Sequence, residues 1–437
     1  MTALSFTSIA IFGAGLSGIA AYKRAKALGI NAIIADDKPI QNDAVATADC
    51  VGLDDWKWDE IDYLVLSPGV PHSYPTPHKV VSTAKTHQTK IISEVEFALR
   101  TGQWGQMVVI TGTNGKSTTT ALTAHILKEA GLSVSVGGNL GMPLSLLDEQ
   151  DQDGITVVEL SSYQLDLTPS LAPAISVILN LSPDHLDRHG GFEGYKDAKL
   201  NAFRALDKSG LALMGDDSAA MVDIYHWAKQ NCAAKSEQIN QTSLAPCSLD
   251  NPYLKGAHNA QNTAFAVRIA RAFNIDDAAI ETAINNFEGL AHRLRPVARD
   301  GKRLFVNDSK ATNGDATSRA LGAYDDIIWL AGGIAKEDGL TQCLDYLDHV
   351  KAAYFYGKAA ADFSAQTHSL IKNSVHNTLD DAFDKAMAEC PESAVILLSP
   401  AAASFDQYPN FGARGAHFET LVHHYINTQK QERSHAR

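Results

Sequence analysis

The sequence predicts an α/β chain of three domains built on mostly parallel sheets, and three observations predict it. A short apolar run ends in Gly13-Ala14-Gly15-Leu16-Ser17-Gly18 and leads into a helical pattern. A second apolar run, Val108-Val109-Ile110, ends in Thr111-Gly112-Thr113-Asn114-Gly115-Lys116-Ser117-Thr118-Thr119 and again leads into a helix. Beyond Gly289 the alternation of apolar strands and helices starts once more. That rhythm is the mark of βαβ units, whose crossover helices cover both faces of a parallel sheet. The expected division is 1–94, 95–290 and 291–437, within the two to four domains that 437 residues suggest.

Composition narrows the function classes. The chain is 45% hydrophobic and 20% charged, a globular balance able to bury several cores. Its net charge of −13 argues against a nucleic-acid surface, so an anionic ligand must be held by local basic groups and backbone N–H nests. No apolar run is long enough to span a membrane, so no membrane insertion is expected. No basic residue precedes the first apolar run, which the glycines interrupt, so a secretory signal is not expected either. The five cysteines (Cys50, Cys232, Cys247, Cys343, Cys390) are scattered and form no Cys-x-x-Cys. They read as reduced thiols of a cytoplasmic protein.

In the first domain, Ile9 to Phe12 reads as a strand, the glycine turn follows, and a helix runs through Leu28 with Gly29 as its stop. The strand Asn31 to Ala35 then ends at Asp36-Asp37. The G-x-G-x-x-G spacing, with an acidic residue about 20 positions on, lets a diphosphate approach the backbone. NAD and a UDP-linked substrate both fit, and so does a turn retained without a ligand. Tyr63 to Leu66 is a further strand, ending in Ser67-Pro68-Gly69-Val70-Pro71, where a parallel sheet binds ligands. A structural turn would look the same. The Pro-rich run to Pro77 leads to a polar helix, Lys90 to Ser93 closes the domain, and Glu94 to Arg100 is the joining helix.

The second domain opens on the phosphate-binding loop. Its glycines turn N–H groups toward an anion, and the helix from Ala121 to Ala130, stopped by Gly131, adds its positive end. Lys116 can reach the terminal phosphates and the Ser117 hydroxyl can ligate Mg²⁺. The standard pattern wants glycine where Ile110 stands; Gly112 and Gly115-Lys116-Ser117 fit. A strand from Ser133 to Val136 precedes Gly137-Gly138-Asn139-Leu140-Gly141. Ile155 to Val158 runs into Glu159, which can hold Mg²⁺ or cap the next helix. Ala174 to Leu179 is another buried strand, and Asp184, His185, Asp187, Arg188 and His189 follow it, with Lys199 on the next helix. As a cluster they point to a metal or phosphate role. From Leu211 to Leu254 only short strands and turns are legible. Lys255 to Asn262 begins a long apolar helix in which Asn259 can bond a nucleobase or cap the helix.

The third domain has strands at Leu304 to Asn307, Ile327 to Leu330, Ala353 to Tyr356 and Val395 to Leu398. Their carboxyl ends carry Asp308-Ser309-Lys310-Ala311-Thr312-Asn313, Gly332-Gly333, Gly357-Lys358 and Ser399-Pro400-Ala401-Ala402-Ala403-Ser404, the expected binding edge. The polar tail from Gln429 is expected to fray.

Together these motifs resemble the Mur ligases over nearly the whole chain. The loop from Thr111 to Ser117 is common to the wider superfamily. The runs Glu159-Leu160-Ser161-Ser162-Tyr163-Gln164-Leu165, Asn307 to Asn313 and Ser399 to Gln407 are similar to the branch that adds D-glutamate. The resemblance implies a Rossmann-like first domain for the UDP-sugar, a P-loop-type central ATPase domain and a Rossmann-like last domain for the amino acid. It implies an amide ligase that uses ATP to activate UDP-N-acetylmuramoyl-L-alanine as an acyl phosphate, which the D-glutamate amine attacks, with ADP as co-product. A cytoplasmic monomer is expected.

The resemblance also assigns residues. Gly112, Thr113, Asn114, Gly115, Lys116, Ser117 and Thr118 cradle ATP, with Asn259, Arg293 and Asp308. Two Mg²⁺ ions are implied, held by Ser117, Glu159 and His185 and by Lys199 if N-carboxylated. The CO₂ adduct is an anion, whereas a plain ammonium would repel the metal. Asn139 matches a position near the reacting carboxylate. Leu16, Ser17, Asp36, Asp37, Ser67, Pro68 and Gly69 match the uridine-diphosphate site; Lys310, Thr312, Lys336, Ser404 and Phe411 match the D-glutamate pocket. Two lysines and hydroxyls suit an amino acid with two carboxylates. Two positions depart from the pattern: Ala335 stands where a glycine or acid is expected, and Asp37 where a hydroxyl or basic residue is expected. A nicotinamide-dependent oxidoreductase would use Gly13, Gly15 and Gly18 but leaves Lys116, Glu159 and His185 unexplained. A non-catalytic nucleotide-binding regulator would not need His185 and Lys199.

Overall fold

The computed structural model describes residues 6–435 except 41, 140, 245–246, 248–249 and 337, with side chains to 431. Leu140 of the second-domain glycine loop therefore lies outside the described residues. The chain divides into two compact units, Met1–Ser248 with Gln261–Ala283, and Leu249–Ala260 with Ile284–Arg437.

The first unit holds two of the sheets found among the described residues. In one, the strands stand in the order Asn31–Ala35, Ser8–Phe12, Tyr63–Leu66, Lys90–Ile92, all parallel. The chain leaves Ser8–Phe12 toward one neighbour and returns on the other side, so the switch point lies between Phe12 and Leu66. The glycine turn sits there. Gly13 has φ +98°, and a Cβ on Gly18 would collide with the Gly13 carbonyl, which lets the helix Leu16–Ala27 pack close on the strand.

The other sheet has the order Lys235–Ile239, Leu211–Gly215, Ile175–Ile178, Trp104–Thr111, Gln150–Glu159, Val134–Gly138, again all parallel. Val108, Val109 and Ile110 are fully buried, as expected of a central strand covered on both faces. Burying each contributes about 1.5–3 kcal/mol. The helix after the phosphate loop starts at Lys116 rather than Ala121 and runs to Glu129. Its first turn is rich in Thr and Ser, which hid its start. Between Leu211 and Leu254 the structure adds a full helix, Ala219–Asn231, capped by Ser218.

In the second unit the sheet order is Arg295–Asp300, Arg303–Asn307, Val395–Leu398, Ile327–Gly332, Val350–Tyr356, Lys372–His376. Only the first pair is antiparallel among the described ladders of this sheet. Ile334–Ala335 and Ala402–Ala403 form a small antiparallel ribbon at its carboxyl edge. Among the described residues the tail expected to fray from Gln429 is helical, as part of Phe411–His435. Phe418, Val422 and Ile426 of that helix are buried against the sheet, and packing of one face carries the polar end along.

Candidate active site

Three neighbouring parallel strands end together at Thr111, Glu159 and Ile178, and the chemistry-bearing residues collect there. The phosphate loop leaves Thr111 through Gly112 at φ +148° and Gly115 at φ +83°, backbone that a side chain would strain. A Cβ on Gly115 would strike the Asn262 side chain. Asn180 brackets Asn114, accepting its N–H at 2.9 Å and donating to its carbonyl at 3.0 Å. Thr113 Oγ1 meets the Tyr195 hydroxyl at 3.1 Å and accepts the Ser182 N–H at 3.0 Å. Lys116 folds back over the loop and donates to the carbonyls of Gly112 at 3.0 Å and Thr113 at 2.7 Å. Thr118 lies half-buried in the first helical turn.

Glu159 is buried, and both its oxygens are engaged. Ser117 Oγ donates to Oε2 at 2.6 Å and Asn139 Nδ2 to Oε1 at 2.7 Å. The helix Ser162–Asp166 takes its capping box from Ser161 and Gln164, so capping does not occupy Glu159. A hydroxyl and a carboxylate beside a phosphate loop form the oxygen donor set of a hard divalent cation.

Lys199 is 1% exposed and donates to the Gly112 carbonyl at 2.9 Å, with its Nζ 4.6 Å from the Tyr195 ring centre. Burial, and then the nearby Lys116 ammonium, hold its pKa well below the ordinary lysine value. That shift favours the neutral amine, the form that can add CO₂. Among the described residues no three His, Cys, Asp or Glu side chains gather as a metal group. A cation here would draw on Ser117, Glu159, His185, phosphate oxygens and a carboxylated Lys199, and the donor chemistry fits. His185 adopts the left-handed conformation at φ +53°, with Nε2 3.6 Å from Asp184 Oδ2. A cavity of about 460 Å³ brings together Lys116, Asn139, His185 and Lys199 with Pro68 and Gly69.

At the first sheet's switch point, Ser67 Oγ donates to the Gly13 carbonyl at 2.8 Å. Asp36 accepts the N–H groups of Ala14 at 2.6 Å and Lys38 at 3.0 Å, so it braces the glycine turn. Asp37 is exposed and pairs with His78 Nε2 at 3.2 Å. Leu16, 79% exposed, and the half-buried Ser17 open the helix beside them.

In the second unit, Asp308 is buried, accepting the Leu294 N–H at 3.1 Å and the Ser399 hydroxyl at 2.8 Å. Burial pushes its pKa up to about 7. Lys310 Nζ lies 4.1 Å from the Phe411 ring centre. Ser404 is buried, Thr312 and Arg293 are half-buried, and Lys336 is exposed. Asn259 donates to the Lys255 carbonyl at 3.0 Å, a bond back along its own helix start rather than an N-cap. Arg414 was not singled out by sequence. It is fully buried and donates to Ser309 Oγ and O, Gly332 O and Ala402 O at 2.8–3.1 Å, tying three carboxyl-edge loops together. Asn180 and Tyr195 were also missed; an asparagine directly after a buried strand was the available signal for the first.

Residues 110–244 match the Mur ligase middle domain. A UDP-N-acetylmuramoylalanine--D-glutamate ligase of Agrobacterium fabrum is 38% identical over 97% of this chain and 96% of its own length. The enzyme of the same name from Rhizobium johnstonii is 40% identical over 96% of this chain and 95% of its own. Among solved structures, the UDP-N-acetylmuramate-alanine ligase MurC of Thermotoga maritima aligns with a TM-score of 0.60 at 14% identity, covering 96% of this chain and 99% of that one. The MurF ligase of Thermotoga maritima in complex with ADP gives 0.59 at 15% identity, covering 92% and 91%. At such identities the structural likeness speaks for the fold alone, α/β with parallel sheets, as the strand–helix rhythm predicts. Sequence similarity to the curated relatives spans nearly the whole chain, and on that ground the chain belongs to the Mur ligase family.

Proposed function

We propose that the chain is an ATP-dependent, ADP-forming amide ligase that joins D-glutamate to UDP-N-acetylmuramoyl-L-alanine through an acyl phosphate. The names of its relatives support the substrates. The observation that carries the chemistry is Lys116, Ser117, Glu159 and Lys199 converging on one phosphate loop. Residues 1–94 take the UDP-linked substrate, 95–290 take ATP and 291–437 the amino acid. Leu16, Ser17, Asp36, Asp37, Ser67, Pro68 and Gly69 serve the first; Gly112 to Thr118, with Asn259, Arg293 and Asp308, serve ATP. Lys310, Thr312, Lys336, Ser404 and Phe411 serve D-glutamate. The chain acts as a cytoplasmic monomer; no described helix is long and apolar enough to cross a membrane.

The reaction must bring a carboxylate against a triphosphate, two anions that repel. Lys116 leaves its loop carbonyls for the terminal phosphate, and Asn139 orients the carboxylate. Ser117, Glu159, His185 and, if N-carboxylated, Lys199 would hold Mg²⁺, which would supply charge screening when bound. The carboxylate oxygen takes the γ-phosphoryl group and ADP leaves. The neutral amine of D-glutamate then attacks the acyl carbon, phosphate departs from the tetrahedral adduct, and the nitrogen gives up one proton to solvent to leave the amide. The test is phosphate release from ATP with UDP-N-acetylmuramoyl-L-alanine and single amino acids added in turn. Release that requires D-glutamate and yields an amide is expected. Release with another amino acid would keep the mechanism and move the branch. No stimulated release, with NAD bound instead, would overturn the ligase reading.

A further inference from the structure

The segment Arg188-His189-Gly190 meets the first-sheet ligand loop through Arg188, approaches Tyr74 beyond that loop through Gly190, and shares Asp166 with His72 through His189. Arg188 Nη1 donates to the Gly69 carbonyl at 3.1 Å and Nη2 to the Pro68 carbonyl at 3.3 Å. Gly190, at φ +68°, lies so close to Tyr74 that a Cβ would stand 2.7 Å from its ring. His189 Nδ1 and His72 Nε2 both face Asp166 Oδ2, at 3.7 and 3.5 Å, and His189 Nε2 meets Ser162 Oγ at 2.9 Å. The Arg188 guanidinium also stands 4.6 Å over the Tyr163 ring, on which His189 stacks at 5.1 Å.

Both ends of this link are stiff. The receiving turn is closed by Val70 N–H on the Ser67 carbonyl at 3.0 Å, and Ser67 Oγ holds Gly13. The delivering turn is closed by Arg188 N–H on the His185 carbonyl at 3.0 Å, so Arg188 and His185 move as one piece. A planar guanidinium presents parallel N–H groups that match two successive carbonyls; an ammonium is a point charge and does not.

We propose that Arg188 is a positioning residue that sets the register between the ligand loop Ser67–Gly69 and the His185 turn, and so delivers the UDP-linked carboxylate to the Lys116–Lys199 site. This rests on the ligase reading above. Arg188 acts through Pro68, Gly69 and His185 on the placement of the UDP-linked substrate, and leaves ATP binding alone. A misplacement of about 1 Å costs up to about 10²-fold in rate.

The test is steady-state kinetics of Arg188→Lys and Arg188→Gln with each substrate varied in turn, beside thermal melting and ADP binding. Both variants are expected to lose about tenfold or more in kcat/KM for the UDP-linked substrate, while KM for ATP stays within about twofold and melting is unchanged. An Arg188→Lys protein with wild-type constants would overturn the inference, because charge alone would then suffice. A KM for ATP raised about tenfold or more, or a variant that no longer binds ADP or melts early, would also overturn it in favour of a general structural role. A wild-type protein without turnover refutes the ligase reading itself, an outcome separable from these.

Discussion

Ser117 Oγ and Glu159 Oε2 share a 2.6 Å hydrogen bond at the end of two adjacent parallel strands, and Asn139 closes on the other Glu159 oxygen at 2.7 Å. The carboxylate is thereby held by two neutral donors in one orientation. Glu159→Gln turns one oxygen into a donor, so one of the two facing donors loses its acceptor in a buried place. Turnover should fall on the order of 10²–10³-fold. ADP titrations with and without Mg²⁺ should show that the metal no longer tightens binding. Undiminished Mg²⁺ enhancement would remove Glu159 from the metal site.

Lys116→Ala should abolish turnover. The ammonium donates to two carbonyls of its own loop, 2.7–3.0 Å away, from which a terminal phosphate would draw it. Its loss has a second effect, because the Lys116 charge is one of the causes that lower the Lys199 pKa. Phosphate release measured at saturating ATP decides the matter; a rate near wild type would end the ATP assignment.

Lys199→Ala should lose on the order of 10²-fold in activity, partly restored by bicarbonate or short carboxylic acids. The side chain is enclosed, so truncation leaves a space that a small anion can enter. In the wild type only the neutral amine can add CO₂, and the lowered pKa extends that form to lower pH. Activity at limiting CO₂ should therefore drop as pH falls through the depressed value. Failure of every added acid to restore turnover would remove support for the carboxylated lysine.

The buried parallel strands were legible because a strand covered on both faces is a continuous apolar run. Asn31–Ala35, Tyr63–Leu66 and Val395–Leu398 match their expected bounds. The edge strands Arg295–Asp300 and Lys372–His376 are largely polar and half-exposed, and carry no such run. At the site, Lys116 and Glu159 could be found because each follows a strand end in the chain, whereas Lys199, within the helix Phe192–Arg204, was singled out by the family resemblance. Asn180 grips Asn114 from 66 residues away and Arg414 grips Ser309 from 105, and neither pairing exists until strand order is known. Strand order is a tertiary fact that local patterning does not carry.

Asp308 should make stability fall as pH rises. Its ordinary pKa of 3.8 is raised to about 7 by burial, so between those values the folded chain holds a proton that the unfolded chain has released. The contribution is fully present below about pH 3.8 and is lost as pH rises through about 7, the reverse of a paired surface carboxylate. Asp308→Asn removes the titration and keeps the shape. It adds a constant offset at the Leu294 and Ser399 contacts. Urea unfolding of both proteins across this range should therefore show the variant gaining on the wild type by up to about 1.4 kcal/mol per pH unit, then levelling off above about pH 7. A difference that stays flat from pH 4 to 7 would mean that Asp308 is ionised throughout, and that Arg293 and Arg414, which favour its charged form, outweigh its burial.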